Sequence, residues 1–352
     1  MARLLCHLFF CLSRESVSAL CEGAVSAAGA VKEITMTHCY PWIDMHCDSL
    51  LRAYDQGADS LWDGEGSQSL KQLAKSGQLC QFFAVFFPPR GHLQEGDTEF
   101  FLKQRGFLMD QLALHADSVA LALGPEEIRK NAARGLASAL LSIEDARIID
   151  SDLSRIAWLK EMGVRAIGLT WNGANCLGFP NSPDPAENRR GLTPFGRDAV
   201  AEMNRLGILV DVSHLSDGGF FEVAEVSRKP FVASHSDARA VTDQPRNLSD
   251  EMLRKLADCG GVTGLNLVPE FLNDRNLPGT VDMLLAHARH IVRVAGEDVL
   301  GVGSDLDGFR EESEISCAPQ MVRLFDAMEK VFTPRQIDKF ASGNVLRVLG
   351  DQ

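Results

Sequence analysis

Imidazoles and carboxylates stand at the C-terminal ends of short apolar runs: His46 and Asp48 close WIDMHCD, Glu144 closes ALLSIE, His214 closes ILVDVSH, His235 closes PFVASH and Asp305 closes LGVGSD. His46 and Asp48 form an H-x-D pair, and on a strand residues i and i+2 point the same way, so a nitrogen and an oxygen can grip one cation together. Glu144, with its neighbour Asp145 as competitor, can give one oxygen to each of two cations, which an imidazole cannot do; paired cations ~3.5–4 Å apart need such a shared ligand. His214 and His235 end consecutive runs, and neighbouring strands lie ~5 Å apart, within reach of a single second cation. Asp305, with Asp307 as fallback, suits a general base that takes a proton from metal-bound water and returns it to a leaving nitrogen. Arg246, in TDQPRNLSD, offers a guanidinium fork for a carboxylate, and Arg239 competes for that role.

Residues so distant in sequence meet if their strands are parallel and form a barrel, because all C-terminal ends then open on one face. The apolar, β-branched-rich segments 41–47, 79–87, 137–144, 164–171, 207–213, 230–235, 260–268 and 298–304 read as strands buried on both faces. Between most of them lies a stretch of helical period. Thr98 to His115 places apolar residues three and four apart; Pro125 and Pro194 each open a helix, and Gly207 closes the second. Ser249 begins another, over LSDEMLRKLADCGG. Eight alternations without a low-complexity linker predict one (β/α)₈ TIM-type barrel over residues 37–352. Two long connections, 52–78 and 172–193, interrupt the rhythm, and the second is expected to form a wall or lid of the site.

The totals limit the function classes. The chain has 352 residues, 45% hydrophobic and 24% charged, the composition of a folded globular protein. A formal charge of −13 and no basic cluster argue against nucleic acid as partner. Nine cysteines without a CxxC pair suit reduced, mostly buried thiols in a cytosolic protein. The histidines His7, His38, His92, His115, His287 and His290 read as structural or surface residues. A phosphate-cradling loop and a G-x-S-x-G nucleophile elbow are both missing, which counts against nucleotide binding and serine hydrolysis.

The segments IDMHCD, LLSIED, AIGLTWN, GLTPFGRDAVAEMNRLGILVDVSHLS, KPFVASHSDARAV, PRNLSDEML, GVGSDLDGF and GNVLRVL give the chain a resemblance to the renal (membrane) dipeptidase family of zinc metallopeptidases, from about Trp42 to Leu349. The resemblance implies a barrel of the amidohydrolase-like kind and two Zn²⁺ ions per subunit: His46 and Asp48 on one, His214 and His235 on the other, Glu144 bridging. It further implies Asp305 as acid/base, Arg246 on the substrate's C-terminal carboxylate, dipeptide substrates with a tolerated D-residue at the C-terminal position, and a possible homodimer. Mammalian members carry a histidine after the fourth strand that contacts the scissile group. Trp171 stands there in this chain, as in bacterial relatives, and with Asn172 or Asn175 it is the candidate for substrate contact. The expected reaction is hydrolysis by a metal-bridging hydroxide. The alternatives are an amidohydrolase acting on N-acyl amino acids or cyclic amides, and a non-catalytic metal-binding scaffold.

Residues 1–36 read as a leader outside the fold, either signal-like, through LLCHLFFCL, or preceding a true start at Met36. With no hydrophobic tail before Gln352, a membrane anchor is not expected and the cytoplasm is the expected location.

Overall fold

The structure is a computed structural model that describes residues 40–352 except 65, 90–92 and 94; the leader, His38, Cys39 and His92 lie outside the described residues. Its strands are β1 (Trp42–Cys47), β2 (Gln78–Phe86), β3 (Val119–Leu121), β4 (Ala137–Glu144), β5 (Val164–Gly168), β6 (Leu209–Asp211), β7 (Val232–Ala233), β8 (Val262–Leu265) and β9 (Leu300–Val302). All pairings are parallel, in the order β2-β1-β9-β8-β7-β6-β5-β4-β3. β2 also pairs with β4 from Cys80↔Ser138 to Phe86↔Glu144, which closes eight strands into a barrel. β3 stands outside that ring of eight. It pairs with the first residues of β4, below the level at which β5 begins opposite Leu141.

Each of the eight apolar runs supplies one barrel strand; β1 and β4 end where their runs end, at Cys47 and Glu144, but the other six ladders stop earlier than the runs. The run at 164–171 is strand only to Gly168, and that at 207–213 only to Asp211. The last residues leave the ladder to present side chains at the barrel mouth. Of the candidate site residues, His46 and Glu144 lie within strands, whereas Asp48, His214, His235 and Asp305 lie just past strand ends. Asp305 has φ 61°, a left-handed conformation incompatible with a strand.

The helices form where caps and apolar stripes direct them. Thr193 accepts from the Gly196 N–H to cap the helix Pro194–Leu206, which ends at Gly207 in the left-handed region. Ser249 caps Asp250–Asp258 through the Met252 N–H. The long connection after β1 holds helices Ser49–Gln56 and Leu70–Lys75, and 172–193 holds the short helix Pro185–Asn188.

Two cores result. The outer one packs helices on the barrel and includes Phe100, Leu108, Ile156 and Met203. The inner one gathers Ile43, Met45, Phe82, Leu140, Ala166, Leu209, Val232 and Val262 from around the ring, together with Val345, Val348 and Leu349 of the C-terminal helix Asn344–Gly350. The barrel interior is therefore solid beneath its mouth, as expected for this architecture. On β1 a register irregularity falls between Asp44 and Cys47. Ile43 and Met45 join the inner core but Cys47 joins the outer one, so the bulge turns His46 toward the mouth. Among the described residues no helix is long and apolar enough to cross a membrane.

Candidate metal centre

At the mouth the sequence-predicted residues converge. His46 Nε2 lies 3.5 Å from Asp48 Oδ2, 3.5 Å from Glu144 Oε2 and 3.9 Å from Asp305 Oδ1. The other oxygen of Glu144, Oε1, lies 2.8 Å from His214 Nε2 and 3.6 Å from His235 Nε2. Those two imidazole nitrogens are 3.0 Å apart, and the rings of His46 and His235 stack with centroids 4.0 Å apart. All six residues are buried or nearly so.

Neighbouring side chains fix what the rings present. His214 Nδ1 meets Asn172 Oδ1 at 3.1 Å, an oxygen that can only accept, so Nδ1 carries the proton and Nε2 a lone pair. Ser234 Oγ spends its proton on Asp211 Oδ2 at 2.5 Å and so accepts from His235 Nδ1 at 2.8 Å, again leaving a lone pair on Nε2. Two imidazole lone pairs thus face one oxygen of the Glu144 carboxyl group. Among the described residues, His46 Nε2 and Asp48 Oδ1 are buried without a hydrogen-bond partner. This is the donor set of a cation site. Two groups of potential ligands, His46/Glu144/His235 and His46/Asp48/Asp305, each bring their atoms within 4.8 Å of one another.

The electrostatics agree with a centre that needs added positive charge. Burial raises Glu144 well above the ordinary carboxylate range and also raises Asp305. For His46 burial opposes protonation, but Glu144, Asp48 and Asp305 together outweigh it and lift its pKa well above normal. Burial, reinforced by nearby cations including Arg246, pushes His214 and His235 well below normal, holding both neutral and ready to ligate.

The competitors turn elsewhere. Asp145, at φ 69°, accepts from the Arg147 N–H and from Asn175 Nδ2 and points away from the cluster. Asp307 accepts from Ser49 Oγ, Arg52 Nη1 and the N–H groups of Ser67 and Gln68, anchoring the connection between β1 and β2. Arg239 grips Asp217 with both terminal nitrogens. Arg246 lies at the centre: Nη2 is 3.0 Å from His214 Nε2, Nη1 donates to Ser213 O, and Nε is buried without a partner among the described residues. Trp171 packs edge-on to Phe86, centroids 4.7 Å apart, and 6.3 Å from the His214 ring, forming a wall of the mouth. His115 stacks on Trp62 and His290 pairs with Asp250, both away from the centre.

Sequence reasoning missed the supporting residues. Asn266 donates through Nδ2 to Asp305 Oδ2 at 2.9 Å and to His235 O at 3.3 Å, tying two site residues together. Asp211 and Ser234 act on His235 as described. Their signal was present as an aspartate two or three residues before a site residue, in IDMH and VDVSH, and a serine one before, in ASH and GSD. Gly308 is missed likewise: a Cβ there would overlap Asp305 Oδ1 and Asp48 Oδ2, so the turn after Asp305 closes on the centre because this residue has no side chain.

Comparisons with known proteins place this geometry in a family. The family model described as "Membrane dipeptidase (Peptidase family M19)" matches residues 31–352. A dipeptidase of Claviceps purpurea, tcpJ, is 27% identical over 319 residues, 85% of this chain and 74% of that protein. Among solved structures, dipeptidase AC, a metallopeptidase of family M19, superposes with a TM-score of 0.81 at 31% identity, covering 89% of this chain and 99% of that one. A Rhodobacter sphaeroides metallopeptidase liganded with a phosphinate mimic of the dipeptide L-Ala-D-Ala superposes with the same TM-score at 29% identity, again covering 89% and 99%. The match over most of its length, on a barrel that gathers metal-ligating residues at its mouth, shows that the chain belongs to the membrane dipeptidase family, peptidase family M19, and is a hydrolase of the metallopeptidase type.

Proposed function

We propose that the protein is a binuclear zinc dipeptidase that cleaves dipeptides carrying a free C-terminal carboxylate, with either an L- or a D-residue at that end. One observation carries the reading. The two oxygens of Glu144 face different partners, Oε2 toward His46 and Oε1 toward His214 and His235, which is how a carboxylate bridging two cations must be placed. His46 and Asp48 would hold one Zn²⁺, His214 and His235 the other. When bound there, two zinc ions supply Lewis-acid activation of water and of the peptide carbonyl.

The chain's own residues do the rest. Asp305, which accepts from Asn266 Nδ2, would take a proton from the attacking water and hand it to the departing amine. Arg246 presents its guanidinium for a bidentate grip on the substrate carboxylate, a fixed cation that selects dipeptides over longer chains. Trp171 and Phe86 supply an apolar wall against which a substrate side chain can lie, and Asn172 holds His214 in the tautomer that ligates. The Rhodobacter sphaeroides protein, bound to a mimic of L-Ala-D-Ala, supports extending the substrate range to a C-terminal D-residue.

The test is hydrolysis of L-L and L-D dipeptides and of N-acetyl amino acids by the purified protein, with metal content measured in parallel and Asp305→Asn as control. Turnover of dipeptides by protein holding two Zn²⁺, reduced about 10²- to 10⁴-fold in the variant, is expected. Cleavage of N-acetyl amino acids without dipeptides would transfer the reading to an amidohydrolase, and a metal-loaded but inert protein would leave a scaffold.

A further inference from the structure

Two pairs of neighbouring strand ends are joined by one hydrogen-bond pattern. Across β6 and β7, Asp211 Oδ1 accepts the Ser213 N–H at 3.1 Å and the Ser234 N–H at 2.9 Å, while Oδ2 accepts the Ser234 hydroxyl at 2.5 Å. Across β1 and β9, Asp44 Oδ1 accepts the His46 N–H at 3.2 Å and the Ser304 N–H at 2.8 Å, while Oδ2 accepts the Ser304 hydroxyl at 2.5 Å. Each aspartate takes the N–H two residues ahead of it, and each serine stands immediately before a site residue, His235 or Asp305.

The pairs differ in the face they occupy. Leu209 and Val232 belong to the inner core, and residues two further along, Asp211 and Ser234, continue that face toward the mouth. Ile43 and Met45 are the inner residues of β1, which puts Asp44 on the opposite side. The spare acceptor capacity of the two serine hydroxyls is therefore spent differently. Ser234 Oγ accepts from His235 Nδ1 at 2.8 Å, and Ser304 Oγ accepts from the backbone N–H of Leu306 at 3.2 Å.

We propose that Asp211 and Ser234 form a relay that fixes His235 as its Nδ1–H tautomer, with the Nε2 lone pair turned to the metal centre, and that Asp44 and Ser304 are its backbone-only twin, holding the turn that carries Asp305. The proposal rests on the metal-centre reading above. All four are positioning residues. A carboxylate behind a ligating imidazole orients the ring and raises its basicity, and removing such a partner costs ~10–100-fold in metal affinity. Here the serine is interposed and transmits that effect. The relay thus sets the affinity for the cation held by His214 and His235, and the twin sets the placement of the acid/base without touching that affinity.

The experiment has a metal-free arm and a metal arm. In metal-free protein with ¹⁵N-labelled histidine, the ring nitrogen shifts are expected to report His235 protonated on Nδ1 in the wild type and in Ser234→Thr, and to lose that preference in Ser234→Ala. In competition titrations of Zn²⁺ against a chromophoric chelator, Ser234→Ala is expected to weaken one of two sites ~10–100-fold, Ser234→Thr to restore it, and Ser304→Ala to leave it within twofold while lowering kcat. An Nε2–H tautomer in the wild type, unchanged zinc affinity in Ser234→Ala, or an equal loss in Ser304→Ala would each overturn the proposal. If Ser234→Ala does not fold, the wild-type tautomer and Ser234→Thr still decide it. A wild type that shows the Nδ1–H tautomer yet binds no Zn²⁺ would instead sink the metal-centre reading and leave the hydrogen-bond relay standing.

Discussion

A guanidinium buried among carboxylates has few reasons to keep a donor idle, and among the described residues Arg246 Nε has no partner, while its Cζ sits 5.3 Å from the Phe271 ring centroid. A substrate carboxylate would use that capacity. Charge-assisted hydrogen bonds contribute ~1.5–3 kcal/mol each, so Arg246→Ala is expected to lower kcat/KM for dipeptides by about 100-fold or more. Arg246→Lys should recover little, since an ammonium cannot reproduce the fork. Steady-state kinetics on one L-L and one L-D dipeptide checks this, and an unchanged kcat/KM would remove Arg246 from substrate binding. The candidate residues themselves were legible because ligand-type side chains interrupted apolar runs that had no other reason to end in histidine or carboxylate. Asn266, Ser234 and Asp211 were not, because Asn, Ser and Asp are ordinary at strand ends and only their contacts distinguish them. The choice between Glu144 and Asp145 likewise waited for the backbone, where φ 69° at Asp145 swings its carboxylate to Asn175.

The connection 172–193 reaches the mouth through Asn172, which meets His214 Nδ1, and Asn181, whose N–H donates to His214 O. Asn175 staples it: Nδ2 donates to Asp145 Oδ1 at 2.7 Å and Leu169 O at 2.8 Å, and Oδ1 accepts from the N–H groups of Leu177 and Gly178. Asn175→Ala frees the connection at its root without touching the proposed ligands. KM is expected to rise about 10-fold with little change in zinc content, and the protein to lose ~2 kcal/mol; thermal melts and metal analysis beside the kinetics check both, and loss of zinc would show that the staple acts on the centre instead. Helix boundaries such as Pro194–Leu206 were readable because Thr193, Pro194 and Gly207 are local signals. The short strand Val119–Leu121 was not, since three residues cannot show a period and its pairing to β4 is set by tertiary contacts. The runs at 41–47 and 137–144 end with their strands, but the other six were read past the ladder for a related reason: hydropathy persists, whereas hydrogen bonding stops where the chain turns into the mouth.

For the molecule as a whole, His287 ties the outer layer to the segment that carries His235 and Arg246. Its Nδ1 accepts the Ala238 N–H at 3.1 Å and its Nε2 faces Leu272 O and Thr242 Oγ1, so it is neutral in the fold, and burial pushes its pKa from 6.5 down to about 4. A base with a depressed folded pKa stabilises fully above its unfolded value and loses that contribution as pH falls toward the folded one. Between pH 7 and pH 5 the loss amounts to about 2 kcal/mol. Urea unfolding at both pH values should show the wild type losing that much more than His287→Asn, and equal losses would refute the assignment.

The inner core that fills the barrel from Ile43 to Leu349 has a consequence for traffic. A solid floor makes the proposed centre a cul-de-sac: a dipeptide arriving and the two amino acids departing would share the mouth, where Trp171 lies 6.3 Å from the His214 ring. Departing amino acid still bears the carboxylate that Arg246 would hold, so it is expected to linger at the threshold and obstruct the next arrival. Progress curves should then bend before substrate is exhausted, and added free amino acid should inhibit competitively.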